Sequence, residues 1–188
     1  MAAFDFEAAR RWARLDPERT LARRSDDELP FVNASLTGGQ GLLLDTCVYI
    51  DQMQDRSPQV LDDLIAQRQV NHSVVAIQEL MHTVGVLNPS DVRTAGVVAE
   101  IGKQIKAMPP HRIFVPDIEV LGRAALLSGI LCRLQGYGKD GRLRALQDCV
   151  LFLQAQKLGL VVLTANVGDY DTLLQLIPTG RALFYRRK

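Results

Sequence analysis

Short apolar runs, each too brief to be a helix, recur along this 188-residue chain with helix-patterned segments between them. LLL (42–44), HSVVA (72–76), RIFV (112–115), VVLT (161–164) and RALFY (181–185) read as strands. Between them, TCVYIDQMQ reads as a helix. Ser57-Pro58 opens another, with Ser as cap and Pro in the first turn. AIQELMHTV carries Ile77, Leu80, Met81 and Val84 at helical spacing, and Asn88-Pro89 begins a helix through about Met108. Pro116 opens DIEVLGRAALLSGILCRLQ, and RLRALQDCVLFLQAQKLG and DTLLQLI follow before the last strand. Strands that alternate with helices favour a parallel sheet covered on both faces, an α/β/α sandwich.

The first 40 residues differ. They hold six arginines and seven acids and end in Pro30 and the loop-like SLTGGQG. They read as an N-terminal extension, with residues 4–24 as one amphipathic helix on Phe6, Ala9, Leu15 and Leu21. Residues 41–188 form the main domain.

Apolar residues at 47% and charged residues at 23% are ordinary for a globular chain, which excludes disorder. A net charge of +1 excludes a strongly basic polyelectrolyte but not a local nucleic-acid site. Cys47, Cys132 and Cys149 show no CxxC spacing, and His72, His82 and His111 show no HExxH. A disulfide framework, a cysteine zinc site and a zinc protease are thereby set aside, and a reducing cytoplasm is expected. The opening MAAFDFEAARRWAR has no signal-like apolar core, and no apolar run approaches membrane-spanning length.

In a parallel α/β sheet, chemistry collects at the carboxyl ends of the strands. LLL ends on Asp45-Thr46, the helix after HSVVA carries Glu79, and VVLT ends on Thr164 with Asn166 and Asp169 beyond. Each has an ordinary alternative. Asp45 or Thr46 would cap a helix, Glu79 would sit on a polar face beside His82 and Thr83, and Asp169 and Asp171 would cap the DTLLQLI helix. Asp148 faces an apolar stripe of Leu151, Phe152 and Ala155, with Arg144 at i−4 as its everyday partner. Together the acids say more than any one alone. Clustered carboxylates raise one another's pKa unless a cation sits among them, and oxygen-only donors suit Mg²⁺ or Mn²⁺.

LLLDTCVYID, VVAIQELMHTVG, LQDCVLFLQAQKLGL and VVLTANVGDYDTL resemble the four signature segments of PIN-domain nucleases, above all the VapC-type toxins of toxin–antitoxin pairs. The resemblance spans about 42–186, with 34, 69 and 21 residues between successive acids. It implies a PIN-like fold and a Mg²⁺- or Mn²⁺-dependent endoribonuclease in which Asp45, Glu79, Asp148 and Asp169 act as catalytic metal ligands. Thr46, Thr164 and Asn166 would support them, with either Asn166 or Asp169 nearer the metal, and Asp51 would stand behind the ligands. It further implies a tRNA- or rRNA-class substrate, a VapB-like antitoxin that covers the acidic cleft, and a homodimer. The family's Asp-Thr-Asn opening is Asp45-Thr46-Cys47 here, and the extension has no counterpart in a minimal toxin.

Rival classes fit less well. Haloacid-dehalogenase phosphatases need an acid where Cys47 stands, and no cysteine has an arginine six residues on, as a cysteine phosphatase needs. Gly136, Gly138 and Gly141 spell GxGxxG but follow a helix and lack the trailing acid at 161. Within this connector, Tyr137 and Lys139 are available to stack on bases or meet phosphate. Arg133, Lys139, Arg142 and Arg144 are the basic group assigned to RNA, with Arg181, Arg186, Arg187 and Lys188 also near. A non-toxin RNA-processing nuclease and a non-catalytic interaction scaffold stay open as alternatives.

Overall fold

The computed structural model describes residues 4–14, 21–36 and 38–188, with backbone alone at 139 and 140. Helix α1 (Phe6–Arg10) runs into a 3₁₀ turn (Arg11–Arg14), and a second 3₁₀ turn covers Asp26–Glu28. The main domain then alternates: β1 (Leu42–Leu44), α2 (Thr46–Met53), α3 (Gln59–Gln67), β2 (Val70–Ser73), α4 (Val74–Val86) and α5 (Thr94–Ala107). A 3₁₀ turn (Pro110–Arg112) leads to β3 (Ile113–Phe114), α6 (Ile118–Gln135), α7 (Lys139–Leu158), β4 (Val161–Thr164), α8 (Val167–Leu176) and β5 (Ala182–Phe184).

All strand pairs are parallel, in the order β3-β2-β1-β4-β5. Alternate side chains feed opposite layers, as a two-residue strand period requires. Leu43, Val162 and Phe184 pack with α6, α7 and α8, whereas Leu42, Leu44, Leu163 and Leu183 pack with α2, α3, α4 and α5. The α/β/α sandwich is the expected one. Chain order runs outward from β1 through β2 to β3, then returns to β4 on the other side. Connections therefore diverge between β1 and β4, and a crevice opens at their carboxyl ends.

Several local expectations are corrected. Residues 4–24 are not one helix. The α1 helix stops at Arg10, residues 15–20 lie outside the described residues, and 21–25 are not helical. There, side chains from other elements take up the backbone groups: Gln135 Nε2 donates to the Leu21 carbonyl and Gln175 Nε2 to that of Ala22. The HSVVA strand ends at Ser73, because the Ser73 hydroxyl accepts from Val75 N–H at 3.1 Å and caps α4, overriding the β-branched pair. Pro58, not Ser57, occupies the cap position of α3, and the Ser57 hydroxyl is buried without a partner among the described residues. Asn88 folds into a local turn, its Oδ1 accepting from Ser90 N–H, so α5 begins only at Thr94. The GxGxxG stretch is a connector: Gly136 ends α6 at φ 65°, a left-handed cap that suits glycine, and Gly141 already lies in α7.

Residues 21–36 lie along the β5 edge. Phe31 bridges Phe184 in parallel, Phe184 N–H donates to the Pro30 carbonyl, and Val32 N–H donates to that of Phe184. Asp171 is fully buried on α8, where it accepts from Arg24 N–H at 2.8 Å and from Arg24 Nε at 2.7 Å. Removing one partner of a buried pair is costly. Arg24→Ala should lower unfolding free energy by about 2 kcal/mol in urea titration, below the usual range because Arg24 is partly exposed and Gln175 still reaches the carboxylate. An unchanged midpoint would show that this strap adds nothing to the fold.

Candidate active site

The crevice between β1 and β4 carries the acids. Asp45 follows β1 at the cap position of α2 but makes no side-chain cap bond, so the simple capping role is not met. Its carboxylate instead accepts from the Thr164 hydroxyl at the end of β4, at 2.5 Å, and from the Cys47 thiol at 3.2 Å. The Cys47 sulfur in turn accepts from Ala165 N–H at 3.3 Å. The residue that departs from the family's pattern thus ties the β1 and β4 loops together.

Glu79 projects from α4 and receives the Thr46 hydroxyl. Asp148 projects from α7 and is 5% exposed, as is Asp45. Among the described residues it forms no ion pair with Arg144. It accepts instead from Asn166 Nδ2 at 3.1 Å. The same amide donates to Asp169 at 2.9 Å, and the Tyr137 hydroxyl donates to the other oxygen of Asp169. Asn166 is also the N-cap of α8, so one side chain fixes the helix start and two carboxylates. Asp45, Thr46, Glu79, Asp148 and Asn166 line one cleft of about 490 Å³. Asp169 sits behind Asn166 rather than in that lining.

Electrostatics show the strain of this gathering. Burial, followed by the charges of Asp45, Asp169 and Glu79, raises the pKa of Asp148 well above the usual carboxylate range. Burial raises Asp45 too, against the lowering effect of its hydrogen bonds. Glu79 is pushed up to about 7, chiefly by burial. The Tyr170 hydroxyl is fully buried with no hydrogen-bond partner among the described residues, and its pKa is raised by burial and by the charges of Asp45 and Asp148.

Among the described residues, no three His, Cys, Asp or Glu side chains close around a single point as a ready cage for an ion. The donor set nevertheless fits a hard divalent cation. Its atoms are carboxylate oxygens that repel one another and face one cleft, and the buried Tyr170 hydroxyl that feels the charges of Asp45 and Asp148 has no partner among the described residues.

Of the basic group, Arg144 lines the cleft and its charge lowers the pKa of Glu79 and Asp148. Arg142 is exposed, Arg133 lies against the Ala13 side of α6, and the Lys139 side chain is outside the described residues. Asp171 is spent on Arg24. Asp51 is fully buried and bonded to Tyr185, Arg56 and Arg187. Arg187 also reaches the cleft, though the basic group assigned to RNA stopped at Arg144. The sequence already sets it among the basic residues near the site, and its pairing with Asp51 fixes it there.

No family model and no curated protein sequence matches the chain. Solved structures do. VapBC2 from Rickettsia felis, bound to promoter DNA, has a TM-score of 0.51 and 11% identity, covering 78% of this chain and 98% of that one. FitAcB from Neisseria gonorrhoeae has a TM-score of 0.50 and 23% identity, covering 76% and 96%. DNA-bound VapBC from Salmonella typhimurium has a TM-score of 0.51 and 17% identity, covering 78% and 98%. What is shared is the PIN-like α/β/α fold.

The raised acids tie stability to pH. Glu79 titrates near 4.5 when unfolded and at about 7 when folded, so between those values the folded state holds the extra proton. Its contribution to stability is therefore full below about pH 4.5 and is lost as pH rises to 7, by up to about 3 kcal/mol. His72, lowered to about 4 by burial, works in the opposite direction. The quantity to measure is thus the difference between wild type and Glu79→Gln in chelator. Glu79→Gln should gain relative stability steadily from pH 5 to 7.5, and a pH-independent difference would sink the assignment.

Proposed function

We propose that this protein is a metal-dependent endoribonuclease and the toxin of a toxin–antitoxin pair. The carrying observation is the convergence of Asp45, Glu79 and Asp148 from three separate elements into one cleft at the carboxyl edge of a PIN-like sheet. Structural neighbours that are complexes of VapBC and FitAB type support the toxin reading and an antitoxin partner, and the resemblance implies that this partner covers the acidic cleft. The resemblance of the four acid-bearing segments adds a tRNA- or rRNA-class substrate and a homodimer. No described helix is long and apolar enough to cross a membrane.

Asp45, Glu79 and Asp148 would hold Mg²⁺ or Mn²⁺, with Asn166 and Asp169 completing the polar wall. When bound, such an ion supplies activated water and charge neutralisation at a phosphate undergoing in-line attack. The chain's own side chains prepare the site. Thr164 and Cys47 fix the Asp45 carboxylate, Thr46 holds Glu79, and Asn166 orients Asp148. Tyr137 holds Asp169 from the α6–α7 connector. Arg144 places positive charge beside Glu79 and Asp148, on the path of an incoming phosphodiester.

Purified protein incubated with a panel of tRNA and rRNA should cut at discrete positions with Mg²⁺ or Mn²⁺ and not with EDTA. Asp45→Asn and Asp148→Asn should each lower the rate by at least about 100-fold. Failure of the wild type to cut under either metal, or cuts that persist in both variants, would overturn the reading.

A further inference from the structure

Arg187 stands apart from the other basic residues because it joins the cleft to a buried ion-pair network. Asp51, on α2, is 0% exposed. Its carboxylate receives the Tyr185 hydroxyl at 2.6 Å, Arg56 Nη2 at 2.7 Å, and Arg187 Nε at 3.0 and 2.8 Å on its two oxygens. One negative charge therefore faces two guanidinium groups, and the cluster keeps a surplus of one positive charge. Both ends of the network are anchored. Arg56 N–H donates to the Asp51 carbonyl at 2.8 Å, and Lys188 N–H donates to the Arg56 carbonyl at 3.0 Å. Among the described residues, Arg187 makes its hydrogen bonds through Nε alone. Its Nη nitrogens belong to a side chain that is 47% exposed and lines the same cleft as Asp45 and Asp148.

We propose that Arg187, held in place by Asp51, is a phosphate-binding residue of the substrate cleft, receiving a backbone phosphate of single-stranded RNA next to the one that is cut. This rests on the nuclease reading above. A guanidinium clamped through Nε keeps its outer edge free in a fixed orientation, the geometry that suits two phosphate oxygens. The surplus charge matters because the cleft floor is acidic. Arg144, the other cleft arginine, is already drawn to Glu79 and Asp148. Arg187 is drawn to an acid that a second arginine neutralises.

The test measures binding of a short fluorescent single-stranded RNA by anisotropy across a salt series, in an Asp148→Asn background that leaves the cleft rim intact. Adding Arg187→Gln should raise Kd roughly fivefold and reduce the slope of log Kd against log salt by about 0.7, the loss of one phosphate contact. Arg187→Lys keeps the charge but not the fork, so Kd should rise with little change in slope. If Arg187→Gln does not fold, the lysine variant alone decides, and an unchanged Kd overturns the proposal. Binding by the parent that neither substitution alters, with a lower melting temperature for Arg187→Gln, would show that Arg187 serves only to balance Asp51. A parent that does not bind this RNA while the wild type still cuts the tRNA and rRNA panel would overturn the proposal alone, and failure of both would overturn the nuclease reading with it.

Discussion

The hydrogen bond from Thr164 to Asp45 joins the ends of β1 and β4 at the one place where the sheet's connections diverge. A parallel sheet leaves such a crevice open, and polar groups at its lip need partners from across the gap. Here every partner is local to the crevice. Thr164 and Cys47 serve Asp45, Thr46 serves Glu79, and Asn166 serves Asp148 and Asp169. These neutral donors orient the acids without cancelling their charge. Had lysines or arginines filled those positions, the acids would be neutralised ion pairs and poor ligands. The arrangement is one in which the fold tolerates mutual repulsion in order to keep several carboxylates in one cleft.

That tolerance needs rigid walls. Asp148 is carried by α7, whose neighbouring side chains Cys149, Leu151 and Phe152 are all fully buried in the layer shared with α6 and α8. Asp45 follows three leucines, each 2% exposed or less. A carboxylate on such a base cannot retreat to solvent by shifting its backbone, so burial raises its pKa instead. The strap of residues 21–36 adds to this rigidity from the far edge. By pairing Phe31 with Phe184, it covers a strand edge that would otherwise offer open N–H and C=O groups.

Much of this was legible in the residues, for identifiable reasons. The strands LLL and VVLT stand out because buried parallel strands are continuously apolar, and Asp45 and Thr164 follow directly as strand ends. Asp148 stands out because a charged residue on an apolar helical stripe needs a reason. What sequence spacing missed was decided by contacts between distant positions. Asp171 resembles a helix cap until Arg24, 147 residues away, takes its carboxylate. Arg187 looks like one of several solvated cations until Asp51 fixes it from 136 residues away. Local errors had a different cause: Ser73 and Asn88 used side-chain bonds to the backbone, and these overrode β-branched propensity in one case and a Pro-based helix start in the other.

With a net charge of +1, the chain as a whole exerts little pull on a polyanion, so attraction has to be generated within the cleft. At physiological salt, charges are screened over about 8 Å, which makes the order of charges along the cleft more important than their sum. Buried acids form its floor, and the arginines lie at its rim, where Arg144 and Arg187 are both exposed. On the proposed reading, an anion approaching from solvent meets the cations first, and only a phosphate already held there is brought near the carboxylates. Reversing that order would repel the substrate at the mouth and pair the acids with their own arginines. On the proposed reading, it is the layering of charge, more than its amount, that lets a nearly neutral protein bind RNA while keeping an acidic centre.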